Sequence, residues 1–164
     1  MKPIPDLAGA IIIETKRILL IHNIKHGRCI EVPGGKVHTG ETHEEAIVRE
    51  CQEEIGVIVS IGKKIGVYHI DSPEGTFNSH LYLCGIVSGE PAICEPHKCD
   101  KIGWYSYAEL EELKKEGLFA PNVVGVMGKL KGRMSNSDID FELVGKIRRS
   151  LEDVKHGRIK ENFP

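Results

Sequence analysis

Residues 35–57, GKVHTGETHEEAIVRECQEEIGV, carry the strongest structural signal in this chain. Their middle part is predicted to be a helix that begins after Thr42. Thr42 and Glu45 have the spacing of a capping box, in which each side chain satisfies a backbone N–H group that the first helical turn leaves unpaired. Gly56 is typical of a residue that ends a helix. The segment is therefore predicted to run loop, helix, loop.

The predicted helix carries a cluster of three carboxylates. Glu50, Glu53 and Glu54 follow the spacing i, i+3, i+4, which places them on one face of a helix. Apolar residues fall on another face: Val48, Cys51 and Ile55. Like charges at this spacing repel one another, and hard divalent cations that prefer oxygen ligands, Mg²⁺ or Mn²⁺, reverse that interaction. The cluster predicts a divalent-metal site, and the competing interpretation is a solvated acidic face.

A glycine-bearing loop, Pro33-Gly34-Gly35-Lys36, precedes the helix. Glycines let the backbone approach an ion or a phosphate closely, and Lys36 adds a cation where polyphosphate oxygens could lie. Arg49, next to the first glutamate of the cluster, can pair with a carboxylate and hold it in position. Loop, cation and carboxylates together favour metal-assisted attack of water on a phosphoanhydride.

The same segment resembles the Nudix box, Gly-x5-Glu-x7-Arg-Glu-U-x-Glu-Glu-x-Gly-U, where U is a bulky apolar residue. All seven invariant positions of the motif are filled: Gly35, Glu41, Arg49, Glu50, Glu53, Glu54 and Gly56. Cys51 and Val57 fill the two apolar positions. With each residue type at about 7% abundance, seven matches arise by chance at about 10⁻⁶ across the chain.

This resemblance implies an α+β fold, the Nudix α/β/α sandwich with a mixed β-sheet, and hydrolysis of nucleoside diphosphates linked to another moiety. It implies Mg²⁺ as the cofactor, with Mn²⁺ able to substitute. The metal ligands that it implies include the backbone carbonyl of Gly34 and the three helix carboxylates: Glu50, Glu53 and Glu54. It also implies catalytic roles for Glu50, Glu53 and Arg49, with Glu50 as the candidate general base oriented by Arg49.

Features outside the box resemble MutT-type nucleoside triphosphate pyrophosphatases. Glu95 lies where those proteins place an extra metal-binding carboxylate, and Asn122 corresponds to an asparagine that reads a purine edge. An amide offers both a donor and an acceptor, which suits a base edge. Lys36 and Asn122 are therefore the expected substrate-binding residues, and nucleoside triphosphates, including oxidised or non-standard ones, are the expected substrates.

Two alternatives remain open: hydrolysis of ADP-ribose or nucleotide sugars, and binding of a nucleotide without hydrolysis. Pro73, 16 residues past the box, lies at a position associated with ADP-ribose hydrolases of the family, although an ordinary turn explains it equally well. A non-catalytic module that binds a nucleotide is the alternative from another class, and such modules usually lack some of the carboxylates that this chain retains.

Composition bounds the partners and the cellular setting. The chain has 164 residues with 22 Lys and Arg against 24 Asp and Glu, a formal charge of −2, which disfavours binding to polymeric nucleic acid. No apolar run approaches the roughly 20 residues of a membrane helix. Five scattered cysteines favour reduced thiols and a cytoplasmic location. Cys94, His97 and Cys99 lack a fourth zinc ligand and are interpreted as loop residues.

The predicted organisation is one domain over residues 1–164, with a core at about 5–130 and a C-terminal helical extension at about 131–164. Strands are predicted at residues 8–14, 17–23, 29–32, 57–61, 65–70, 77–87 and 101–105. A second capped helix is predicted after Ser106, and helical stretches follow from Asn122. The extension has two candidate roles, covering the core or forming a homodimer contact.

Overall fold

Seven strands and three helices make up residues 2–134, the part of the chain that the computed structural model describes. The strands are β1 (Asp6–Glu14), β2 (Arg17–Asn23), β3 (Cys29–Glu31), β4 (Gly34–Lys36), β5 (Ile58–Ser72), β6 (Gly75–Ser88) and β7 (Cys99–Tyr105). The helices are α1 (His43–Ile55), α2 (Tyr107–Lys114) and α3 (Pro121–Leu130), followed by a 3₁₀ turn at Lys131–Arg133. The predicted C-terminal helix lies outside the described residues.

The sheet is mixed, as predicted. Its main path runs β3-β2-β1-β6-β5, with β4 paired to β1 and β7 paired to β2. Strands β1 and β6 are parallel, and the other pairs are antiparallel. One edge of β1 lies along β6, while the opposite edge pairs with β4 near its start and with β2 near its end. Because β4 leads directly towards α1, this pairing holds the start of the loop–helix–loop against the centre of the sheet.

Each face of the sheet covers its own hydrophobic core, and the alternation of side chains along β1 assigns residues to the two faces. Ala10 and Ile12 pack with α1 through Ile47, Cys51 and Ile55. On the other face, the core contains buried residues of α2 and α3: Leu110, Leu113, Val123, Val126, Met127 and Leu130. Helices therefore cover both faces, and the predicted α/β/α sandwich is confirmed.

Local signals predicted both helix starts correctly. Thr42 and Ser106 are N-caps, and each forms a capping box with the glutamate three residues later. α1 ends at Gly56, whose φ of 70° is the left-handed conformation that glycine adopts without strain. The sequence predicts that the second helix stops at Gly117, whereas α2 ends at Lys114, three residues earlier.

Two predictions about local structure were wrong. Residues 58–72 form one strand rather than two, because bulges between Ile61 and Lys64 and between Lys64 and Gly66 keep it paired with β6. Gly34 begins a short strand rather than a loop, since β4 pairs with β1. On α1, Ile47 is fully buried whereas Val48 is only partly buried.

No helix among residues 2–134 is long and apolar enough to cross a membrane.

Gly34→Ala is expected to lower the free energy of unfolding by about 2–3 kcal/mol. A Cβ atom at Gly34 would lie 2.3 Å from the carbonyl oxygen of Ala8 and 2.7 Å from Cα of Gly9, both backbone atoms that cannot move independently. Gly128→Ala is the matched control, because a Cβ there meets nothing within 4 Å and alanine favours the helix. Urea unfolding of the two variants checks this, and equal stability would contradict the close approach.

Candidate active cleft

The predicted site residues line one cleft of about 560 Å³. It is bordered by β4, the exposed face of α1, the β5–β6 turn, the loop before β7 and the start of α3. The lining includes all eight residues that the sequence analysis selected: Gly34, Lys36, Arg49, Glu50, Glu53, Glu54, Glu95 and Asn122. The structure thus brings together residues that are up to 88 positions apart in the chain, although their chemical roles stay predictions.

The three helix carboxylates differ in exposure because α1 packs its apolar face on the sheet. Glu53 points away from the core, and its side chain is 51% exposed. Glu50 is largely buried, and Glu54 is buried next to Cys51 and Ile55. The cluster therefore runs from solvent into the wall of the cleft.

Glu54 has the most perturbed environment of the three. Its Oε1 accepts a hydrogen bond of 2.7 Å from the backbone N–H of Gly34. Burial raises the pKa of the Glu54 carboxyl well above its ordinary value of 4.5, and the bond from Gly34 opposes that rise. Nearby negative charges add to the rise in pKa: Glu31, Glu50 and Glu95. A cation among these carboxylates would relieve both the repulsion and the cost of burial.

Arg49 connects the helix to the loop. Its Nε and Nη2 donate to the two carboxylate oxygens of Glu41 at 2.8 and 3.0 Å, and Nη2 also donates to the carbonyl oxygen of Lys36 at 2.9 Å. Nη1 donates to Glu50 Oε1 at 2.8 Å and lies 3.4 Å from Glu53 Oε2. These bonds with Arg49, together with the N–H of His38, lower the pKa of Glu41 to about 2. Arg49 is thus a rigid connection rather than a mobile cation.

Gly35 makes room for Glu50. A Cβ atom at this position would lie 2.3–2.9 Å from the three atoms of the Glu50 carboxyl group. The glycine therefore allows that carboxyl group to lie directly against the loop backbone.

Glu95 reaches the cleft because its loop docks on the end of α1. The N–H groups of Ala92 and Cys94 donate to the carbonyl oxygens of Ile55 and Glu54, each at 3.0 Å. Lys98 Nζ donates to Glu95 Oε1 at 2.7 Å and keeps the side chain in the cleft. The loop that is bonded to the carboxyl-terminal end of α1 thereby adds Glu95 to the cluster as a fourth acidic group.

The donor set fits Mg²⁺ or Mn²⁺. The four carboxylates supply only hard oxygen ligands, as these ions prefer, and the glycine backbone leaves space beside them. Within residues 2–134, no histidine or cysteine is grouped with these carboxylates, and no three of the carboxylates have ligand atoms that all lie within 4.8 Å of one another. Side-chain rearrangement would therefore accompany ion binding. Cys94 and Cys99 donate to the carbonyl oxygens of Ala92 and Lys101. Cys94 lies in a loop as predicted, whereas Cys99 is the buried first residue of β7 and not a loop residue.

The two expected substrate-binding residues, Lys36 and Asn122, both line the cleft. Lys36 forms an ion pair with Glu74 of the β5–β6 turn. Asn122 is buried in the first turn of α3, where its Nδ2 donates to Ser79 Oγ at 3.0 Å and its Oδ1 accepts from the N–H of Val123 at 2.9 Å. One N–H of the Asn122 amide and one lone pair of its oxygen remain beyond these two bonds.

Sequence reasoning missed three acidic residues of the cleft: Glu31, Asp71 and Glu74. Glu31 is paired with Asn23 Nδ2 at 2.7 Å, and burial raises the pKa of its carboxyl group. The sequence signal that could have identified Glu31 is the alternation of side chains along β3. Because Ile30 points into the core, Glu31 points to the opposite face of the strand. Glu74 bonds to Lys25 and His26 at 2.8 and 2.6 Å, and only its place in a turn was visible in the sequence.

Comparisons with known proteins agree with this geometry. A family model of the NUDIX domain matches residues 4–124. The ADP-ribose pyrophosphatase of Methanocaldococcus jannaschii is 39% identical over 84 residues, 49% of this chain and 50% of that protein. The 8-oxo-dGTP diphosphatase of Haemophilus influenzae is 33% identical over 93 residues, 55% of this chain and 68% of that protein. The chain therefore spans about half of the first relative and two thirds of the second.

A solved structure shares the fold. The crystal structure of a MutT NUDIX hydrolase from Burkholderia pseudomallei superposes with a TM-score of 0.60 at 32% identity, covering 65% of this chain and 85% of that chain. The matched family model covers the segment from β1 to the first turn of α3.

Proposed function

This chain belongs to the Nudix family, and from that premise we propose that it hydrolyses nucleoside triphosphates to a nucleoside monophosphate and pyrophosphate. The observation that carries the proposal is the single cleft in which four carboxylates face Lys36 and Asn122. A volume of about 560 Å³ lies within the range of small-molecule sites and is adequate for a nucleotide.

The acidic cluster is the proposed metal site, and Mg²⁺, with Mn²⁺ as substitute, is the proposed cofactor. Glu53, Glu54 and Glu95 would hold the ion, with Glu50 and the carbonyl group of Gly34 nearby. When bound, Mg²⁺ supplies charge neutralisation for phosphate oxygens and makes a nearby water more acidic.

Glu50 is the proposed general base. Its carboxyl group lies against Gly35, and its Oε1 accepts the bond from Arg49, so the carboxylate has one orientation in the cleft wall. From there it can accept a proton from the attacking water. Arg49 is a positioning residue, since Glu41 and the carbonyl oxygen of Lys36 occupy its remaining donors.

Lys36 and Asn122 are proposed to bind the two ends of the substrate. Lys36 is half-exposed, and its ammonium group can exchange Glu74 for a phosphate oxygen. The amide of Asn122 is already fixed by Ser79, so its remaining donor and acceptor meet a base edge without further loss of side-chain entropy.

ADP-ribose is the second candidate substrate. Pro73, which the sequence analysis associated with ADP-ribose hydrolysis, lines the same cleft rather than lying on a remote turn. The relative from Methanocaldococcus jannaschii named ADP-ribose pyrophosphatase also favours this candidate.

A substrate panel distinguishes these proposals. Purified protein with Mg²⁺ is incubated with the four deoxynucleoside triphosphates, 8-oxo-dGTP, ADP-ribose and nucleotide sugars, and the products are separated by chromatography. We expect kcat/KM for at least one triphosphate to exceed that for ADP-ribose by tenfold or more, with pyrophosphate as product. The reverse ratio would favour ADP-ribose, and binding without product in Mn²⁺ would favour the non-catalytic module.

The single-domain organisation over residues 1–164, the homodimer contact and the cytoplasmic location stay predictions. Small nucleotides are the proposed partners, and the formal charge of −2 gives no support for polymeric nucleic acid.

A further inference from the structure

Asp6, His43 and His80 form a second cluster of metal-ligating groups, separate from the acidic cleft. They come from the start of β1, the first residue of α1 and the middle of β6. His43 Nε2 lies 2.9 Å from Asp6 Oδ2, and His80 Nε2 lies 3.3 Å from Asp6 Oδ1. Within residues 2–134, this is the one group of His, Cys, Asp and Glu side chains whose ligand atoms all lie within 4.8 Å of one another.

The spacing of the ligand atoms matches that of a tetrahedral metal site. Zinc–nitrogen and zinc–oxygen bonds of about 2.0–2.1 Å place neighbouring ligands of a tetrahedron about 3.3 Å apart. The two observed separations, 2.9 and 3.3 Å, are close to that value. Adjustments of side-chain torsions would therefore suffice to bind an ion.

The two imidazole rings are stacked beside the carboxylate. Their centroids are 3.8 Å apart and their planes differ by 28°, and the Nε2 atoms of His43 and His80 lie 2.9 and 3.3 Å from oxygens of Asp6. Two imidazoles on one tetrahedral ion have centroids about 5 Å apart, so binding requires the stacked rings to separate by about 1.5 Å. His43 Nδ1 lies 3.5 Å from the hydroxyl of Tyr82, which gives the other ring nitrogen a polar neighbour. His80 Nδ1 is buried and has no hydrogen-bond partner among the described residues, so the polar contact of that ring is at Nε2.

This cluster lies on the other side of the sheet from the base-binding end of the cleft. His80 and Tyr82 share the face of β6 that packs with α1, whereas Ser79, which bonds to Asn122, points to the opposite face. None of the three ligand residues lines the cleft.

We propose that Asp6, His43 and His80 bind a divalent transition-metal ion, with Zn²⁺ as the best match. Two imidazole nitrogens and one carboxylate oxygen would be the protein ligands, and water would occupy the fourth position. This donor set favours zinc and its neighbours over Mg²⁺, whereas the all-oxygen set of the cleft favours Mg²⁺. The chemistry of the ligands therefore separates the two sites.

The proposed ion would connect three elements of the fold. His43 is the first residue of α1, and Asp6 and His80 belong to adjacent parallel strands. An ion bound there stabilises the folded state by mass action, because the unfolded chain does not present the three ligands together. None of its three ligands lines the cleft, so we expect nucleotide hydrolysis in Mg²⁺ not to require this ion.

The test is a Zn²⁺ titration of the full chain after removal of bound metals. Millimolar Mg²⁺ is added after this removal and before the titration, to fill the proposed magnesium site of the cleft. We expect one tightly bound Zn²⁺ per chain by calorimetry and by metal analysis after desalting. We also expect a rise in Tm of about 5–10 °C at a hundredfold excess over Kd. Co²⁺ in place of Zn²⁺ should give the visible absorption of a tetrahedral nitrogen- and oxygen-ligated ion.

His80→Gln is expected to weaken Zn²⁺ binding by about 100-fold or more and to remove the Co²⁺ spectrum. Asp6→Asn keeps the volume of a partly exposed side chain, so it provides a second variant if His80→Gln fails to fold. His69→Gln is the control, because His69 is exposed and lies outside the cluster.

The proposal is overturned if Zn²⁺ does not bind, or if binding is abolished by Glu53→Gln and unchanged by His80→Gln and Asp6→Asn. Absence of Zn²⁺ binding would mean that Asp6, His43 and His80 form only a hydrogen-bonded cluster. Binding that depends on Glu53 alone would assign the ion to the acidic cleft. Turnover of His80→Gln in Mg²⁺ is expected to stay within about twofold of the native value, so this test is independent of the proposed hydrolysis.

Discussion

Glu53→Gln is expected to lower turnover by about 10²- to 10³-fold while leaving Tm nearly unchanged. The glutamine keeps the shape of the side chain and removes the negative charge that the proposed metal site needs. Loss of one electrostatic contribution of this kind costs about 3–4 kcal/mol in the transition state. Stability is preserved because the Glu53 side chain is 51% exposed and its one polar contact within residues 2–134, with Arg49, is a long 3.4 Å.

Steady-state kinetics at saturating Mg²⁺ and a thermal unfolding scan measure the two quantities. Glu44→Gln is the matched control, because Glu44 lies on the same helix and does not line the cleft. It should retain turnover within about twofold. Native turnover in Glu53→Gln would contradict the metal assignment, and a drop in Tm of more than about 5 °C would indicate a structural role for the carboxylate.

The helix of the site was predictable because its determinants are local. Thr42, Glu45 and Gly56 lie within one segment, and each acts through hydrogen bonds or backbone conformation inside that segment. The seven matched positions of the box then identified the family, since they require a single spacing pattern rather than knowledge of the fold.

Contacts between distant segments were predictable only in part. Glu95 and Asn122 were selected by family resemblance. The structure explains their positions, because Cys94, the residue before Glu95, donates its N–H to the carbonyl oxygen of Glu54, and Asn122 donates to Ser79. No local sequence pattern encodes either bond. Glu31 was missed because its proximity to Glu54 depends on how β3 and α1 pack. The Asp6–His43–His80 cluster was missed for the same reason.

Some local signals were overridden by pairing across strands. Gly62 suggested a break between two strands, yet the strand continues with a bulge beside β6, where a Cβ at Gly62 would lie 2.9 Å from the carbonyl oxygen of Leu83. Gly34 and Gly35 suggested a loop, and they instead let β4 approach β1 and Glu50. Each glycine therefore indicated a position where the backbone needs to lack a side chain. The sequence did not show which neighbouring atoms leave no room for a Cβ there.

Glu54→Gln is expected to affect activity and stability in opposite directions. Turnover should decrease by about 10²-fold or more, because a proposed metal ligand is lost. The metal-free protein should become more stable by about 1 kcal/mol near pH 8, because a buried carboxylate among like charges is replaced by a neutral group. The amide oxygen of the glutamine can still accept the bond from Gly34, so the contact that Glu54 makes is retained.

The pH dependence of this stability difference follows from the raised pKa of Glu54. The folded protein holds the Glu54 proton to higher pH than the unfolded chain does, so the native metal-free protein loses stability as pH rises above about 4.5. Below that value both states are protonated and the difference between native protein and Glu54→Gln disappears.

Unfolding scans between pH 4 and 8, with chelator or with millimolar Mg²⁺, test this argument. In chelator, Glu54→Gln should unfold at higher temperature than the native protein, by an amount that grows with pH. In Mg²⁺ the order should reverse, because ion binding compensates the native carboxylates and the variant binds the ion weakly. Glu54→Gln could instead be the less stable protein in chelator at pH 8. The ionised carboxylate would then stabilise the metal-free fold through its bond from Gly34. That result would contradict the argument that a cation stabilises the cleft by relieving repulsion among the four glutamates.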